Sequence, residues 1–152
     1  MHAQAPKRTL RALADNLLIC TLWNYTADNT NARGNLWNDE DFSIFSRDQQ
    51  ANPADLNSGG RALSAAVRPY AAKIAGELLE MSFDSQHKVF RLVFRHDPQV
   101  TAPSEVFVPR LQYPSGVPVQ VSDGHWELDA ERQVLIYAHT QRRVVHTVIL
   151  GR

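Results

Sequence analysis

Aromatic, amide and carboxylate side chains are concentrated between positions 22 and 45 of this chain. Sugars present apolar ring faces that are edged by hydroxyl groups. A protein that binds them therefore needs flat aromatic side chains for the faces and Asn, Asp or Glu for the hydroxyls. Both kinds of side chain occur here close together, which predicts a carbohydrate-binding site. The candidate sugar contacts are Trp23, Asn24, Tyr25, Trp37, Asn38 and Glu40.

Each candidate also has a purely structural interpretation. Trp23 could be a core tryptophan, and Asn24 and Tyr25 could turn the chain instead of binding hydroxyls. Trp37 could hold a loop in place while the carboxylates after it cap that loop. We favour the structural role for the segment around Trp37, and both interpretations stay open for the other three residues.

The elements that must position these residues are a helix and one short apolar segment. Apolar residues recur at the spacing of a helical face and predict a helix over residues 9–16. Residues 17–22 then form a nearly continuous apolar run, which is typical of a strand buried on both faces, as in a parallel sheet. Cys20 is the one cysteine of the chain, and we expect it to be a small buried side chain in that strand.

No sustained periodicity follows this predicted strand. Residues 25–60 are predicted to form a long loop, and a loop of this length inside a compact domain is usually functional. Within it, we expect Arg47 and Asp48 to form an ion pair that organises the loop. A glycine pair then leads into a second predicted helix over residues 61–67.

After Glu77 the spacing of apolar residues changes to two, as on one face of a strand. Turn signals rich in Gly, Pro, Asp and Ser separate short strands, which is typical of an antiparallel, immunoglobulin-like β-sandwich. The predicted strands are residues 79–83, 88–96, 105–109, 117–121, 125–128, 133–139 and 143–150. We therefore divide the chain into residues 1–76 and residues 77–152.

The first of these two parts cannot complete a fold by itself. A strand of a parallel sheet needs neighbours on both sides for its backbone groups, and a single strand with two helices and a loop does not supply them. This part of the chain therefore looks cut out of a larger fold, whereas the predicted sandwich could fold on its own.

Composition argues against several classes of function. Sixteen basic residues balance sixteen acidic ones, so nucleic acid is not expected as a partner. The apolar run near the start is shorter than the ~20 residues of a membrane span, and the first residues lack the apolar centre of a signal peptide. We therefore expect no transmembrane segment and a cytoplasmic location.

Metal and cofactor sites are also not expected. With one cysteine and histidines that stand far apart in sequence, the chain has no familiar metal-ligand spacing. The histidines considered are His87, His96, His125, His139 and His146.

Four segments together resemble the carboxy-terminal end of glycoside hydrolase family 5 enzymes, in particular the subfamily acting on glucosylated sphingolipids and sterols. The matching segments are residues 22–29, 36–44, 47–49 and 58–63. The resemblance implies a mixed fold, in which the final strand, a long loop and the final helix of a (β/α)8 barrel precede the β-sandwich. It places residues 17–23 as the eighth barrel strand, residues 24–60 as the loop over the sugar, and Trp23 beneath the sugar. Sugar contact is therefore the favoured role for Trp23.

The resemblance also implies a reaction and a missing part. Family members hydrolyse with retention and use two glutamates, after the fourth and seventh barrel strands, with carboxyls held ~5 Å apart. Both positions fall upstream of Met1, so no residue here is predicted to be catalytic, and we expect the chain alone to be inactive. It would come from a truncated gene or a mis-set start codon, or be half of a split enzyme whose partner is the N-terminal barrel portion. The substrate of the full-length relative would be a glucoside or glycolipid.

A second hypothesis is a non-catalytic module whose β-sandwich binds carbohydrate or another protein. Trp126, Tyr113 and Tyr137 would form its aromatic platform. Aromatic residues on short strands more often belong to the core or its edge, and we favour that location for these three.

Overall fold

The computed structural model of the protein describes residues 4–18, 20–22, 24–36, 40–55 and 57–151. Within these residues the helices are α1 (Gln4–Asp15), a 3₁₀-helix (Arg47–Gln49) and α2 (Leu63–Ala66). The strands are β1 (Tyr70–Lys73), β2 (Gly76–Asp84), β3 (Val89–His96), β4 (Ser104–Phe107), β5 (Val119–Val121), β6 (His125–Asp129), β7 (Val134–Ala138) and β8 (Val145–Leu150).

Two antiparallel sheets form a β-sandwich. One sheet has the strand order β1-β4-β7-β6 and the other has the order β2-β3-β8-β5. β2 with β3 and β6 with β7 pair as neighbours in sequence, whereas β3 with β8 and β4 with β7 pair across long connections. The predicted antiparallel sandwich is confirmed, and each strand predicted after Glu77 corresponds to an observed one.

Alternate residues of the strands fill the space between the two sheets. On β3, Phe90, Leu92 and Phe94 are fully buried, while the residues between them are only partly buried. They belong to one core with buried residues of β7 and β8, such as Leu135 and Val148. This alternation is the two-residue period that the sequence displays, and it produces a continuous apolar core.

The outer face of β3 carries charges that pair with β2. Arg91 Nε lies 3.1 Å from Glu80 Oε1, and Arg95 Nη1 lies 2.8 Å from Glu77 Oε2. All four side chains are about half exposed, so water screens these pairs and each contributes little to stability. They do place opposite charges across the strand pair, which is compatible with the observed pairing.

β1 lies before the expected boundary between residues 76 and 77, and the sequence did not predict it. It pairs antiparallel with β4, with Tyr70 opposite Phe107 and Ala71 opposite Val106. The ring centroids of Tyr70 and Phe107 are 5.4 Å apart. Alanine and lysine have little strand propensity. Tertiary packing, rather than local sequence, therefore places β1 in the sheet.

Gln112 connects the sandwich to the segment that precedes it. Its buried side-chain amide donates to the carbonyl oxygens of Ser64 at 3.2 Å and Val67 at 2.6 Å, at the end of α2. Carbonyl groups at a helix C terminus lack partners within the helix, so Gln112 satisfies groups that need one. Arg68 adds a second link, because its Nη2 donates to the Phe83 carbonyl at 3.2 Å.

The strand expected over residues 17–22 does not form in the described part of that range. The chain leaves α1 in a turn, where Leu17 has a left-handed backbone (φ 54°) and its N–H donates to the Ala14 carbonyl at 3.0 Å. Leu18 is 59% exposed, and Cys20 is exposed rather than buried as predicted. No described strand offers this segment a hydrogen-bonding edge, so its apolar composition does not produce a strand.

The predicted helices also differ from the observed ones at their ends. α1 begins at Gln4 instead of residue 9, and it packs against α2 and β2. α2 is a single turn, because Ala62, directly before it, has a left-handed backbone (φ 52°) that does not belong to a right-handed helix. Among the described helices, none is both long enough and apolar enough to cross a bilayer.

Removal of β1 should weaken the sandwich. A chain shortened to residues 76–152 leaves the edge of β4 unpaired, whereas one shortened to residues 68–152 keeps β1. We expect the shorter chain to be less stable by about 2 kcal/mol or more, the value of burying one large apolar side chain. Urea unfolding followed by circular dichroism measures the difference. Equal stability of the two chains would show that β1 is dispensable.

Candidate functional site

We call residues 24–61 the polar loop, and its described residues are held mainly by hydrogen bonds outside regular secondary structure. Isolated antiparallel bridges join Thr30 to Gly34 and Phe45 to Gly60. Further backbone hydrogen bonds, such as that from the Ser46 N–H to the Gly59 carbonyl at 2.9 Å, are joined by contacts of a few buried or partly buried polar side chains. The shape of the loop therefore depends on how these few side chains are paired.

Asn29 is the fully buried centre of the polar loop. Its side-chain amide donates to Asp41 Oδ1 at 3.1 Å and to the Phe45 carbonyl at 2.9 Å. Its backbone carbonyl accepts from the N–H of Arg47 at 2.9 Å. A buried polar side chain needs such partners to offset its loss of water. Asn29 thus joins parts of the loop that are distant in sequence.

Arg61 closes the polar loop against the start of α2. Its Nη1 lies 2.7 Å from Asp41 Oδ1, and its Nη2 donates to Asn31 Oδ1 at 2.5 Å. Its backbone N–H donates to the Ile44 carbonyl at 2.7 Å. The Arg61 and Asp41 side chains are 20% and 28% exposed, so water and salt screen this ion pair less than a fully exposed one.

The predicted ion pair between Arg47 and Asp48 is replaced by other contacts. Asp48 Oδ2 accepts from the backbone N–H of Asn31 at 2.6 Å. The ion pairs in the described part of the loop are Arg61 with Asp41 and Arg33 with Asp28. Arg47 and Asp48 lie in a 3₁₀-helix, where adjacent side chains do not face each other, so their proximity in sequence did not become a contact.

Three of the predicted sugar contacts lie in the described residues. Tyr25 is 64% exposed, with its ring tilted against Phe45 at a centroid distance of 5.5 Å. Glu40 is exposed, and Asn24 is half-buried with its carbonyl accepting from the Ile44 N–H at 2.8 Å. The other three, Trp23, Trp37 and Asn38, lie outside the described residues. Sugar contact by all six stays a prediction.

A depression of about 800 Å³ lies between α1, the polar loop and the start of α2. Its lining combines apolar and charged side chains, as is typical of ligand sites. The lining includes Leu10, Leu22, Asp41, Phe42, Ile44 and Arg61. Among the described residues of the lining, Asn24, Tyr25 and Glu40 do not occur. The depression and these predicted sugar contacts are therefore separate features of one segment.

The aromatic platform considered for the sandwich does not form. Tyr137 is completely buried and Tyr113 is 8% exposed, so both belong to the core. The Tyr137 hydroxyl donates to Asp123 Oδ1 at 2.8 Å, and the Tyr113 hydroxyl donates to the Lys88 carbonyl at 3.1 Å. Of the three candidates only Trp126, 41% exposed, can present its ring to a ligand.

Three histidines that stand far apart in sequence, which we call the histidine cluster, meet at one end of the sandwich. His96 ends β3, His146 lies in β8, and His139 follows β7 of the opposite sheet. His96 Nδ1 and His146 Nε2 are 3.0 Å apart, and the ring centroids of His139 and His146 are 4.5 Å apart. Only the pairing of β3 with β8 and the packing of the two sheets bring them together, so spacing in sequence gave no signal.

Asp123, between β5 and β6, anchors the histidine cluster. Its Oδ1 lies 2.8 Å from His146 Nδ1 and accepts from Tyr137, and its Oδ2 accepts from the N–H and the hydroxyl of Thr140. Burial opposes ionisation of this carboxyl, but the hydrogen bonds outweigh burial and hold the pKa of Asp123 well below its usual range. Burial also lowers the pKa of His139, and the other two histidines lower it further.

Known proteins match this chain over its sandwich and beyond it. The family model described as the glycoside hydrolase family 5 C-terminal domain matches residues 68–149. The glucosylceramidase of Rhizopus delemar is 31% identical, over 91% of this chain and 22% of that protein. The ergosteryl-β-glucosidase of Saccharomyces cerevisiae is 28% identical, over 84% of this chain and 24% of that protein. The chain thus spans about a quarter or less of the length of these relatives.

Solved structures match nearly the whole chain. Sterylglucosidase 1 from Cryptococcus neoformans matches with a TM-score of 0.85 at 25% identity, over 97% of this chain and 23% of that one. Endo-glycoceramidase II from Rhodococcus sp. matches with a TM-score of 0.68 at 17% identity, over 95% of this chain and 28% of that one, and so shares the fold. At 97% coverage, the first match extends beyond the sandwich into the polar loop.

Replacement of Arg61 by lysine should loosen the polar loop without unfolding the sandwich. Lysine keeps the charge but lacks the planar fork that holds Asp41 and Asn31 together. We expect cleavage within the polar loop to be about tenfold faster, which corresponds to a local loss of ~1.4 kcal/mol. Limited proteolysis with mass spectrometry measures it. Arg33→Lys, in a more exposed ion pair, is the control, and equal cleavage of Arg61→Lys and the natural chain would contradict the assigned role.

Proposed function

The chain belongs to glycoside hydrolase family 5, and we propose on this basis that it forms the C-terminal part of a retaining β-glycosidase. The proposed reaction is hydrolysis of the O-glycosyl bond of a glucosylated lipid, with a sphingolipid or sterol glucoside as substrate. The proposal rests on one observation: the structural similarity to a sterylglucosidase extends over the sandwich and most of the segment before it. The substrate class follows from the names of the relatives, glucosylceramidase and ergosteryl-β-glucosidase.

We assign the segment before residue 68 to the end of a (β/α) barrel. In support, Leu17, Leu18 and Leu22 follow α1 and are all exposed apolar side chains. Clustered exposed apolar residues usually mark a surface that another part of a protein covers. In a barrel, neighbouring parallel strands and helices would cover both faces of this segment. The N-terminal barrel portion is therefore the proposed partner of these residues.

The polar loop is the proposed sugar-binding part. In a (β/α) barrel, active groups lie on the loops at the carboxyl ends of the strands, which is the place of the polar loop in the proposed arrangement. Trp23 would stack beneath the sugar. The other proposed contacts are Asn24, Tyr25, Trp37, Asn38 and Glu40. The exposed side chains of Tyr25 and Glu40 support this role, because they are available to hydrogen-bond hydroxyls.

The depression beside the polar loop suits the lipid part of the proposed substrate. Leu10, Leu22 and Phe42 provide apolar contacts there, and Phe42 is 54% exposed. Burial of a lipid-like alcohol against such side chains is favourable because it removes apolar surface from water. Asp41 and Arg61 lie in the same lining and add polar groups to it.

Three glutamates of the sandwich are engaged in ion pairs. Glu77 and Glu80 pair with arginines of β3, and Glu105 Oε1 lies 2.8 Å from Lys73 Nζ. Retaining hydrolysis needs two carboxyls ~5 Å apart on either side of the scissile bond. We therefore propose that both catalytic glutamates belong to the barrel portion and that these residues alone do not hydrolyse glycosides.

The isolated chain should release no fluorophore from 4-methylumbelliferyl β-glucoside. The expected rate is that of the buffer, because the general acid and the nucleophile are not supplied by the polar loop or the sandwich. A fluorescence assay on the purified protein measures it. Turnover that co-purifies with the chain and that Glu40→Gln abolishes would contradict the proposed division of roles.

A chimera tests the proposed function in an active context. In it, this chain replaces the matching C-terminal part of the Rhizopus delemar glucosylceramidase. We expect the chimera to hydrolyse glucosylceramide, and we expect Trp23→Ala to lower kcat/KM by about tenfold or more through loss of the stacking surface. Trp126→Ala, which removes an exposed tryptophan of the sandwich, is the matched control.

Two results of the chimera experiment would contradict the proposal. The first is a folded chimera without activity on glucosylceramide. The second is an active chimera in which Trp23→Ala and Trp126→Ala have the same effect on kcat/KM, because the polar loop would then contribute no more to catalysis than the outer surface of the sandwich.

A further inference from the structure

We propose that His96, His139 and His146 bind one divalent transition-metal ion, such as zinc, at the end of the sandwich. One ring nitrogen of each histidine lies within 4.8 Å of those of the other two. A tetrahedral zinc ion with Zn–N bonds of about 2.0–2.1 Å needs ligand nitrogens roughly 3.4 Å apart. Side-chain adjustments of about an ångström therefore close the set.

His146 already has the surroundings of a metal ligand. Its side chain is completely buried, and its Nδ1 lies 2.8 Å from Asp123 Oδ1. The carboxylate accepts a hydrogen bond from Nδ1–H, so Nε2 keeps a free electron pair on the side that faces His96. A histidine held in this way by a carboxylate is a recurring arrangement in zinc sites, because it fixes the ring and strengthens the ligand.

His96 brings a second nitrogen to nearly the required position. Its Nδ1 is 3.0 Å from His146 Nε2, close to the separation of two ligands on one zinc ion. Without a metal, a proton between these nitrogens makes a hydrogen bond. With a metal, His96 would carry its proton on Nε2 instead of Nδ1, so that the electron pairs of His96 Nδ1 and His146 Nε2 would both be free for the ion. The pairing of β3 with β8 holds the two rings side by side.

His139 brings a third ring from the end of β7, in the opposite sheet. Its Nδ1 is buried and has no hydrogen-bond partner among the described residues. Its ring centroid lies 4.5 Å from that of His146 and 5.1 Å from that of His96. A buried polar atom without a partner is unfavourable. A metal ion within reach of this ring would give the nitrogen a partner, which the hydrogen bonds of the metal-free cluster do not provide.

The donor set selects the class of metal. Imidazole nitrogens suit zinc, copper, nickel or cobalt, whereas magnesium and calcium prefer oxygen ligands. Three protein ligands leave one coordination position for water, and the partial exposure of His96 and His139 gives an ion access to the site. The Phe94 ring, with its centroid 5.3 Å from that of His146, forms an apolar wall that would shield the bonds from water.

A bound ion would connect the two sheets at this end of the sandwich. It would join β3 and β8 of one sheet to the residue that follows β7 of the other. The three ligands come together only in the folded chain, so binding would raise the stability of the fold. The site would therefore act as a structural clip and not as part of the sugar-binding surface.

Zinc binding to the full chain tests the proposal. For this experiment the protein should carry no polyhistidine tag and should be treated with EDTA beforehand. It should also contain Cys20→Ser, because an exposed thiol can bind zinc by itself. We expect one zinc ion per chain by native mass spectrometry and calorimetry. We also expect the thermal midpoint to rise by about 5 °C or more at a hundredfold excess over Kd.

Single substitutions locate the zinc. His139→Gln should weaken zinc binding about 100-fold or more, and Asp123→Asn about tenfold, because the first removes a ligand and the second releases its support. His125 is an exposed histidine outside the cluster, so the His125→Gln variant should bind zinc as tightly as the chain without that substitution. Urea unfolding of the metal-free variants checks that they fold, and His96→Gln replaces His139→Gln if the latter does not. Failure of the natural cluster to bind zinc, or equal binding by His139→Gln, would overturn the proposal.

Discussion

Every backbone N–H and C=O group needs a hydrogen-bond partner, and the two parts of this molecule differ in how they meet that need. From β1 to β8, the strands pair within two sheets, and the sheets cover each other with a continuous apolar core. Residues 17–22 have comparable apolar character but no described strand beside them, and Leu18 and Cys20 are exposed there. The sandwich is thus a complete structural unit, whereas the segment before it leaves apolar side chains uncovered.

Polar side chains hold the chain together where sheet pairing ends. Asn29 and Arg61 organise the polar loop, and Gln112 fastens the following helix, α2, to the sandwich. A path of hydrogen bonds therefore runs from the sandwich through α2 to the loop that carries the predicted sugar contacts. This gives the sandwich a physical role in the proposed glycosidase, because it can position the polar loop without contacting the substrate.

Some of this architecture could be predicted from the sequence, and the reasons are physical. The two-residue spacing of Phe90, Leu92 and Phe94 predicts a strand, because this period can be read from neighbouring residues alone. β1 was missed because alanine and lysine carry no such signal and only its pairing with β4 makes it a strand. The strand predicted over residues 17–22 does not form in the described part of that range for the converse reason, because local apolarity does not tell whether a partner strand is present.

The candidate sites show the same division between local and long-range information. The types and order of Trp23, Asn24 and Tyr25 suggest sugar binding because residue chemistry is visible in sequence. The ion pair of Arg61 with Asp41 and the histidine cluster were not visible, because they depend on how distant segments pack. Strand adjacency brings together His96 and His146, and sheet packing adds His139.

In the proposed glycosidase, the polar loop contacts the sugar of a substrate that the barrel portion holds. A crystal structure of the glucosylceramidase chimera with a bound β-glucoside tests it most directly. We expect the Trp23 ring to lie against the sugar face and a side-chain atom of Asn24 or Glu40 to lie within about 3 Å of a hydroxyl. A glucoside bound in the barrel with no atom of the polar loop in contact would contradict it.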